Sequence, residues 1–177
     1  MHGLSRHRVE GDRSRSENCL SLLLPCVLFD AQWKGISMVD IDTSTDFGAM
    51  VARHLEEDLI VWLTTVDPDL TPQPSPVWFL WEGETALIYS QPNTPKLSNI
   101  SDRPRASLNF NCTDTGTDVV ILTGDAWIED GAPPATGVPA YIEKYSAQIE
   151  IIGMTPESFA QSYSVPVRVR PTDLRGH

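Results

Sequence analysis

Long hydrophobic runs are missing from this sequence. The longest apolar stretch, Leu20 to Phe29, is interrupted by Ser21 and Pro25. It falls well short of the ~20 apolar residues a membrane span requires, so no membrane partner is expected. Positive charge is scarce. Thirteen Lys and Arg face 24 Asp and Glu, a formal net charge of −11. Nucleic-acid binding needs basic surface to displace counterions, so nucleic acid is excluded as a partner. Cysteine is scarce too. Cys19, Cys26 and Cys112 are odd in number and widely spaced, which gives neither a disulfide framework nor a zinc pattern. A reducing cytoplasm is the default compartment. No G-x-S-x-G, H-E-x-x-H, P-loop or G-x-G-x-x-G run occurs. Nucleophilic hydrolysis and metal catalysis therefore lack support, and no metal ligand set is assigned.

What is present is unevenly distributed. Residues 1–37 carry five Arg and Lys and four Asp and Glu, leaving eight basic against twenty acidic residues from Met38 onward. Each basic side chain in that second part is a scarce resource. A basic start before a short apolar run outlines a signal peptide. Acids mixed into the basic stretch, Pro25 in mid-run and the lack of a small-x-small cleavage site argue against one. The expectation is that residues 1–37 are a disordered or mis-assigned leader, with Met38 the natural start. Residues 38–177 then form a single domain. An N-terminal peptide from before Met38 in the native protein's mass spectrum would contradict this.

Ordered patterning begins just after Met38. Thr43, Ser44 and Thr45 are N-cap candidates for a helix over 46–57, with Phe47, Met50, Val51, His54 and Leu55 along one face. His54 on that face reads as a core histidine. Residues 59–66 (LIVWLTTV), 76–81, 85–90, 105–111, 118–129 and 165–169 read as six strands, rich in branched and aromatic residues. Pro72, Pro74 and Pro76 confine the second strand's start to an edge or a bulge. Gly124 marks a bulge or a close backbone approach. Helices are expected over 95–101 and 140–152, and a short one after Thr155. Six short strands in hairpin order imply a closed or partly closed antiparallel barrel with helices, an α+β class that is mainly β.

The stretch from Tyr89 to Arg105 is the most informative. A strand ends, and a helix begins at Thr94-Pro95. A helix start presents free N–H groups and the positive end of a dipole, which suits an anion. Lys96, Arg103 and Arg105 cluster there, which suits a phosphate; the same charges also read as solubilising groups on a helix–strand connection. Arg168 and Arg170, two apart, share a strand face. That face suits an anionic tail, or else guards a solvated edge strand. Trp62, Trp78, Trp81 and Trp127 can wall a flat heterocycle or fill a core.

Residues 62–110 and 152–177 resemble the actinobacterial deazaflavin-dependent oxidoreductases, relatives of pyridoxamine 5′-phosphate oxidase that use coenzyme F-420. The run Tyr-Ser-x-Pro-x-Thr-x-Lys-x-x-Asn-Ile, from Tyr89 to Ile100, and the closing Arg-Val-Arg-Pro-Thr-x-Leu-Arg-Gly carry the likeness. The resemblance implies a split β-barrel of FMN-binding type, forming a homodimer with cofactor at the interface. By that analogy Thr94, Lys96 and the helix start hold the cofactor phosphate, and Tyr89 and Ser90 flank it. Pro76, Val77 and Trp78 present backbone and side chain to the ring. Asn99 bonds ribityl or phosphate oxygens, while Arg103, Arg168 and Arg170 meet a polyglutamate tail. The family usually has glycine where Leu70 stands, and a different turn type is expected to accommodate the leucine.

The resemblance implies hydride transfer between reduced F-420 and a small organic substrate, with no obligatory catalytic side chain, because the cofactor does the chemistry. A proton is left to solvent or to a tyrosine. An FMN-dependent oxidoreductase of the same fold stays open, since both cofactors join a tricyclic ring to a ribityl phosphate. So do a non-enzymatic protein that sequesters a tetrapyrrole or the cofactor, and a dimerisation module without ligand.

Overall fold

A computed structural model describes residues 39–177; the reading of residues 1–37 lies outside them. Helix α1 (Asp46–Glu57) starts where Thr45 Oγ1 accepts the Gly48 N–H at 3.0 Å. Its inner face buries Val51, His54 and Leu55, as the spacing predicts. His54 Nδ1 meets Asp58 Oδ2 at 2.8 Å, which ties the buried ring to the end of its own helix.

Seven strands follow. They are β1 (Val61–Val66), β2 (Pro72–Val77), β3 (Leu80–Trp81), β4 (Ala86–Ser90), β5 (Arg105–Asn109), β6 (Val120–Ile128) and β7 (Val165–Gly176). Helix α2 (Pro95–Asp102) precedes β5; α3 (Pro139–Ile151) and α4 (Pro156–Ser162) precede β7. All pairings are antiparallel, in the order β2-β1-β5-β6-β7-β4-β3.

This order forces the sheet to curl. β2 and β3 lie at opposite edges, yet only Trp78 and Phe79 separate them. Three Cα steps reach at most about 11 Å, so the two edges must come close. The result is the split-barrel architecture that the sequence leads one to expect. The single strand expected over 76–81 is divided, because its two ends pair with different edges. The three prolines sit in β2, on an edge where a missing N–H costs least. β7 runs seven residues beyond the expected 165–169. Pro171 falls opposite the bulge at Thr123/Gly124. β7 also lies between β6 and β4, so the reading of Arg168 and Arg170 as guards of an edge strand is corrected.

Two apolar clusters result, separated by β4, all of whose residues are buried. Ala86 and Ile88 face the barrel interior with Val61, Leu63, Phe79, Leu108 and Leu122. Leu87 and Tyr89 face outward onto Tyr141, Tyr145, Ile149 and Phe159 of α3 and α4. The period-two alternation of one strand thus holds two cores together.

The β1–β2 turn corrects one expectation. Leu70 has φ 64°, so the turn keeps the left-handed geometry and leucine bears it. Asn93 and Asp118 share this conformation, but Asn and Asp tolerate it better. Leu70 is also 70 % exposed, so removing its side chain forfeits little burial. Leu70→Gly is expected to raise stability by about 1 kcal/mol, because relief of strain exceeds the added flexibility of the unfolded chain. Thermal unfolding should show a midpoint higher by roughly 2–4 °C.

Candidate functional site

A cavity of about 410 Å³ opens where the β2–β3 seam, the end of β4, the start of α2 and the α3–α4 region meet. Pro76, Val77 and Trp78 form one wall as β2 reaches the seam. Tyr89, Ser90 and Gln91 enter from the end of β4, and Thr94 and Lys96 from the start of α2. Ile152, Phe159 and Tyr163 supply an apolar wall from the end of α3 and from α4.

Aromatic stacking fixes the walls. The Trp78 ring lies 4.7 Å from that of Tyr145 at an interplanar angle of 1°, and 5.3 Å from that of Phe159 at 17°. Tyr163 stacks on Phe159 at 4.6 Å. Such stacks hold the rings of the wall in register. The Tyr89 hydroxyl donates to Pro133 O at 2.8 Å, and burial pushes its pKa above the ordinary phenol value.

The α2 end of the cavity is polar. The Thr94 hydroxyl makes no cap bond to the helix; it lies 3.1 Å from Ser90 Oγ and donates to Gln91 O at 3.3 Å. The helix start therefore has no side-chain cap and no acidic residue in its first turn, while Pro95 lacks an N–H and the Leu97 N–H goes to Thr94 O at 3.0 Å. Lys96 is half-buried, and that burial lowers its pKa; no carboxylate contributes to the shift. A cation that lacks compensation, set beside an uncapped helix start, fits a dianionic phosphate.

Seven of the eleven expected residues thus meet in one cavity: Pro76, Val77, Trp78, Tyr89, Ser90, Thr94 and Lys96. The other four are placed differently. Asn99 is buried, and its Nδ2 donates to Thr65 Oγ1 at 3.0 Å, which fastens α2 to β1. Arg103 Nη2 reaches Pro68 O at 3.5 Å, beside the β1–β2 turn. Arg168 Nε donates to Glu129 at 2.7 Å, and its Nη1 pairs with Glu82. The Arg170 guanidinium lies over the Trp127 ring, 5.5 Å from its centroid. Sequence reading missed Gln91, Ile152, Phe159 and Tyr163. The four-residue spacing of Phe159 on α4 and Tyr163 at its C-terminal cap is the available signal.

Among the described residues no helix is long and apolar enough to cross a membrane. None of their His, Cys, Asp and Glu side chains gather in a group of three or more able to hold a metal ion.

The family profile of pyridoxamine 5′-phosphate oxidase matches residues 48–177. No curated protein matches the chain. Among solved structures, an F420 reductase is 27% identical, with 68% of this chain and 92% of that chain covered and a TM-score of 0.48. A conserved hypothetical protein from Mycobacterium tuberculosis is 20% identical, with 78% and 84% covered and a TM-score of 0.55. HutZ, the heme storage protein from Vibrio cholerae, is 13% identical, with 78% and 95% covered and a TM-score of 0.52. At 20% and 13% identity the likeness is one of fold.

Proposed function

This chain belongs to the pyridoxamine 5′-phosphate oxidase family, and from that premise we propose that its cleft binds a flavin-type cofactor, FMN or the deazaflavin F-420, for oxidoreduction of a small organic substrate. The observation that carries the reading is the half-buried, uncompensated Lys96 beside the uncapped start of α2, at one end of an aromatic-walled cavity. The cavity volume lies within the roughly 300–1,000 Å³ typical of ligand sites.

Lys96, Thr94 and the α2 N–H groups would hold the phosphate. The 76–78 segment would face the ring, with Tyr89 and Ser90 between. When bound, the cofactor supplies hydride chemistry. The protein's own part is to orient the ring against Trp78, to exclude water with Ile152, Phe159 and Tyr163, and to balance the phosphate charge. Two copies of the chain would complete the site at a dimer interface.

Charge favours FMN. One phosphate needs little more than Lys96, whereas the polyglutamate tail of F-420 adds carboxylates to a chain of net charge −11. Arg168 and Arg105 already pair with Glu82, Glu129 and Asp125. One observation favours F-420: Tyr89, Ser90, Thr94 and Lys96 of the deazaflavin-like run all line the cavity. A tetrapyrrole would have to rely on Tyr89 or Tyr163 for its iron, because the lining contains no His, Cys or Met. Titration with F-420 and with FMN, followed by fluorescence, tests the reading. Saturable FMN binding with weaker F-420 binding is expected, the reverse order assigns the deazaflavin, and binding of neither overturns the proposal.

The Lys96 shift sets a pH dependence. FMN affinity should rise as the phosphate loses its second proton near pH ~6. It should then hold level and fall as pH climbs through the Lys96 pKa, which lies below the ordinary 10.5. Affinities measured from pH 5 to 10 check both limbs. A flat alkaline limb would remove Lys96 from the site.

A further inference from the structure

Phe79 lies at the seam between two ladders. Val77 still pairs with Val61 on one edge, and Leu80 already pairs with Leu87 on the other. Its backbone is bonded by a side chain instead. The Tyr145 hydroxyl accepts the Phe79 N–H at 2.8 Å and shares its proton between Phe79 O at 2.7 Å and Leu59 O at 2.9 Å. One phenol from α3 thereby joins the α1–β1 connection to the seam. The Tyr145 ring is fully buried, and its pKa is pushed far above the phenol range by that burial. It therefore stays a neutral donor and acceptor at any working pH. The adjacent Lys144 ammonium lies 4.2 Å from the Phe79 ring centroid, so α3 grips the same residue twice.

Trp78 and Phe79 point into different cores. Phe79 packs in the barrel interior, and Trp78 packs on the outer cluster and lines the cavity. The angle of the peptide between them sets where the Trp78 ring stands. Tyr145 fixes that peptide by its hydroxyl and the Trp78 ring by its face, at 4.7 Å and 1°.

We propose that Tyr145 is a positioning residue of the cofactor site: through the Phe79 backbone and the Trp78 ring it holds the wall against which the cofactor ring packs. The inference rests on the flavin reading of the cavity. It predicts a separation of effects, since ring contacts run through Tyr145 and phosphate contacts through Lys96.

The experiment measures FMN and riboflavin affinity, and the visible circular dichroism of bound FMN, in wild type, Tyr145→Phe and Val51→Ala. Val51 is fully buried in the barrel core, so its truncation controls for lost stability. Tyr145→Phe should weaken both ligands by the same factor, roughly tenfold. It should alter the flavin dichroism and leave the FMN-to-riboflavin ratio unchanged. Val51→Ala should lower the melting temperature and leave affinities and dichroism as in wild type. Wild-type affinities in Tyr145→Phe, an equal loss in Val51→Ala, or a loss confined to FMN would each overturn the positioning role while sparing the flavin reading. Failure of wild type to bind FMN and F-420 alike would remove that reading, and the proposal with it. Should Tyr145→Phe not fold, amide exchange at Phe79 in wild type decides. Slower exchange on addition of FMN is expected, and an unchanged rate contradicts the clamp.

Discussion

Lys96→Ala should weaken FMN binding by roughly 10- to 100-fold, the range of a charge-assisted hydrogen bond lost from a partly buried site. Riboflavin, which lacks the phosphate, should bind the variant and wild type alike. The half-buried ammonium carries a second expectation, for the ligand-free protein. Without ligand it is costly where it stands, since burial alone lowers its pKa. Its protonated form is therefore disfavoured in the folded state relative to the unfolded chain, and stability should rise with pH as Lys96 discharges. Lys96→Met, which retains apolar bulk, should likewise leave the ligand-free protein no less stable than wild type while losing the preference for phosphate. A lysine serving only solubility would show neither effect. Parallel FMN and riboflavin titrations, together with thermal melts of the free proteins, measure both sides.

Gly124→Ala should be among the most damaging single changes to the fold, and the reason is space rather than backbone conformation. A Cβ built at Gly124 would stand 1.9 Å from Arg170 O and 2.7 Å from Pro171 Cα. These are backbone atoms of β7, which cannot turn aside as a flexible side chain can. The site is the β6–β7 bulge, where the register shifts between Thr123 and Gly124 and Pro171 sits opposite. Forcing the strands apart there disturbs the longest ladder of the sheet. Overpacking of this kind costs about 3 kcal/mol or more, and Gly124→Val should not fold at all. Gly83 provides the contrast. It has positive φ and nothing within 4 Å of a Cβ, so Gly83→Ala should cost only about 1 kcal/mol of backbone strain. Urea denaturation of the two alanine variants separates the causes: the midpoint should fall far more for Gly124→Ala, with similar slopes.

Local features were legible in the sequence, and features made by distant pairing were not. Thr45 and the spacing of Val51, His54 and Leu55 place α1, because caps and periodicity act within one turn. Gly124 announces its bulge for the same local reason. The two-edge fate of residues 76–81 is not written in their own pattern. It depends on β1 claiming one end and β4 the other, and strand periodicity carries no information about order. β7 runs past 169 because β6 pairs with it through the bulge at Thr123/Gly124, which nothing in residues 165–176 signals.

The site divides along the same line. The strand–loop–helix from Tyr89 to Lys96 is contiguous, so its cavity-facing residues could be named together. Asn99 lies on the same helix, yet Thr65, 34 residues away in the chain, takes its amide. A buried pair like that satisfies two polar groups at once, but nothing local marks it. Arg168 reads as available charge in the sequence because Glu82 and Glu129 lie far from it along the chain, and Arg170 because Trp127 does. Phe159 and Tyr163 come to the cavity only because α3 and α4 pack on the outer face of β4. Leu70 shows a further limit. The sequence exposes an unusual residue in a turn, but only the backbone tells whether the turn changed or the residue is strained.

The central claim is that the cavity recognises a ribityl phosphate attached to a flat ring. The most direct measurement is calorimetric titration of the wild-type protein with FMN and, in parallel, with riboflavin at neutral pH. Saturable binding of both, with FMN tighter by roughly 10- to 100-fold, is the result the account predicts. Equal affinity for the two ligands would contradict the role given to Lys96 and the start of α2, and absence of FMN binding would contradict the site itself.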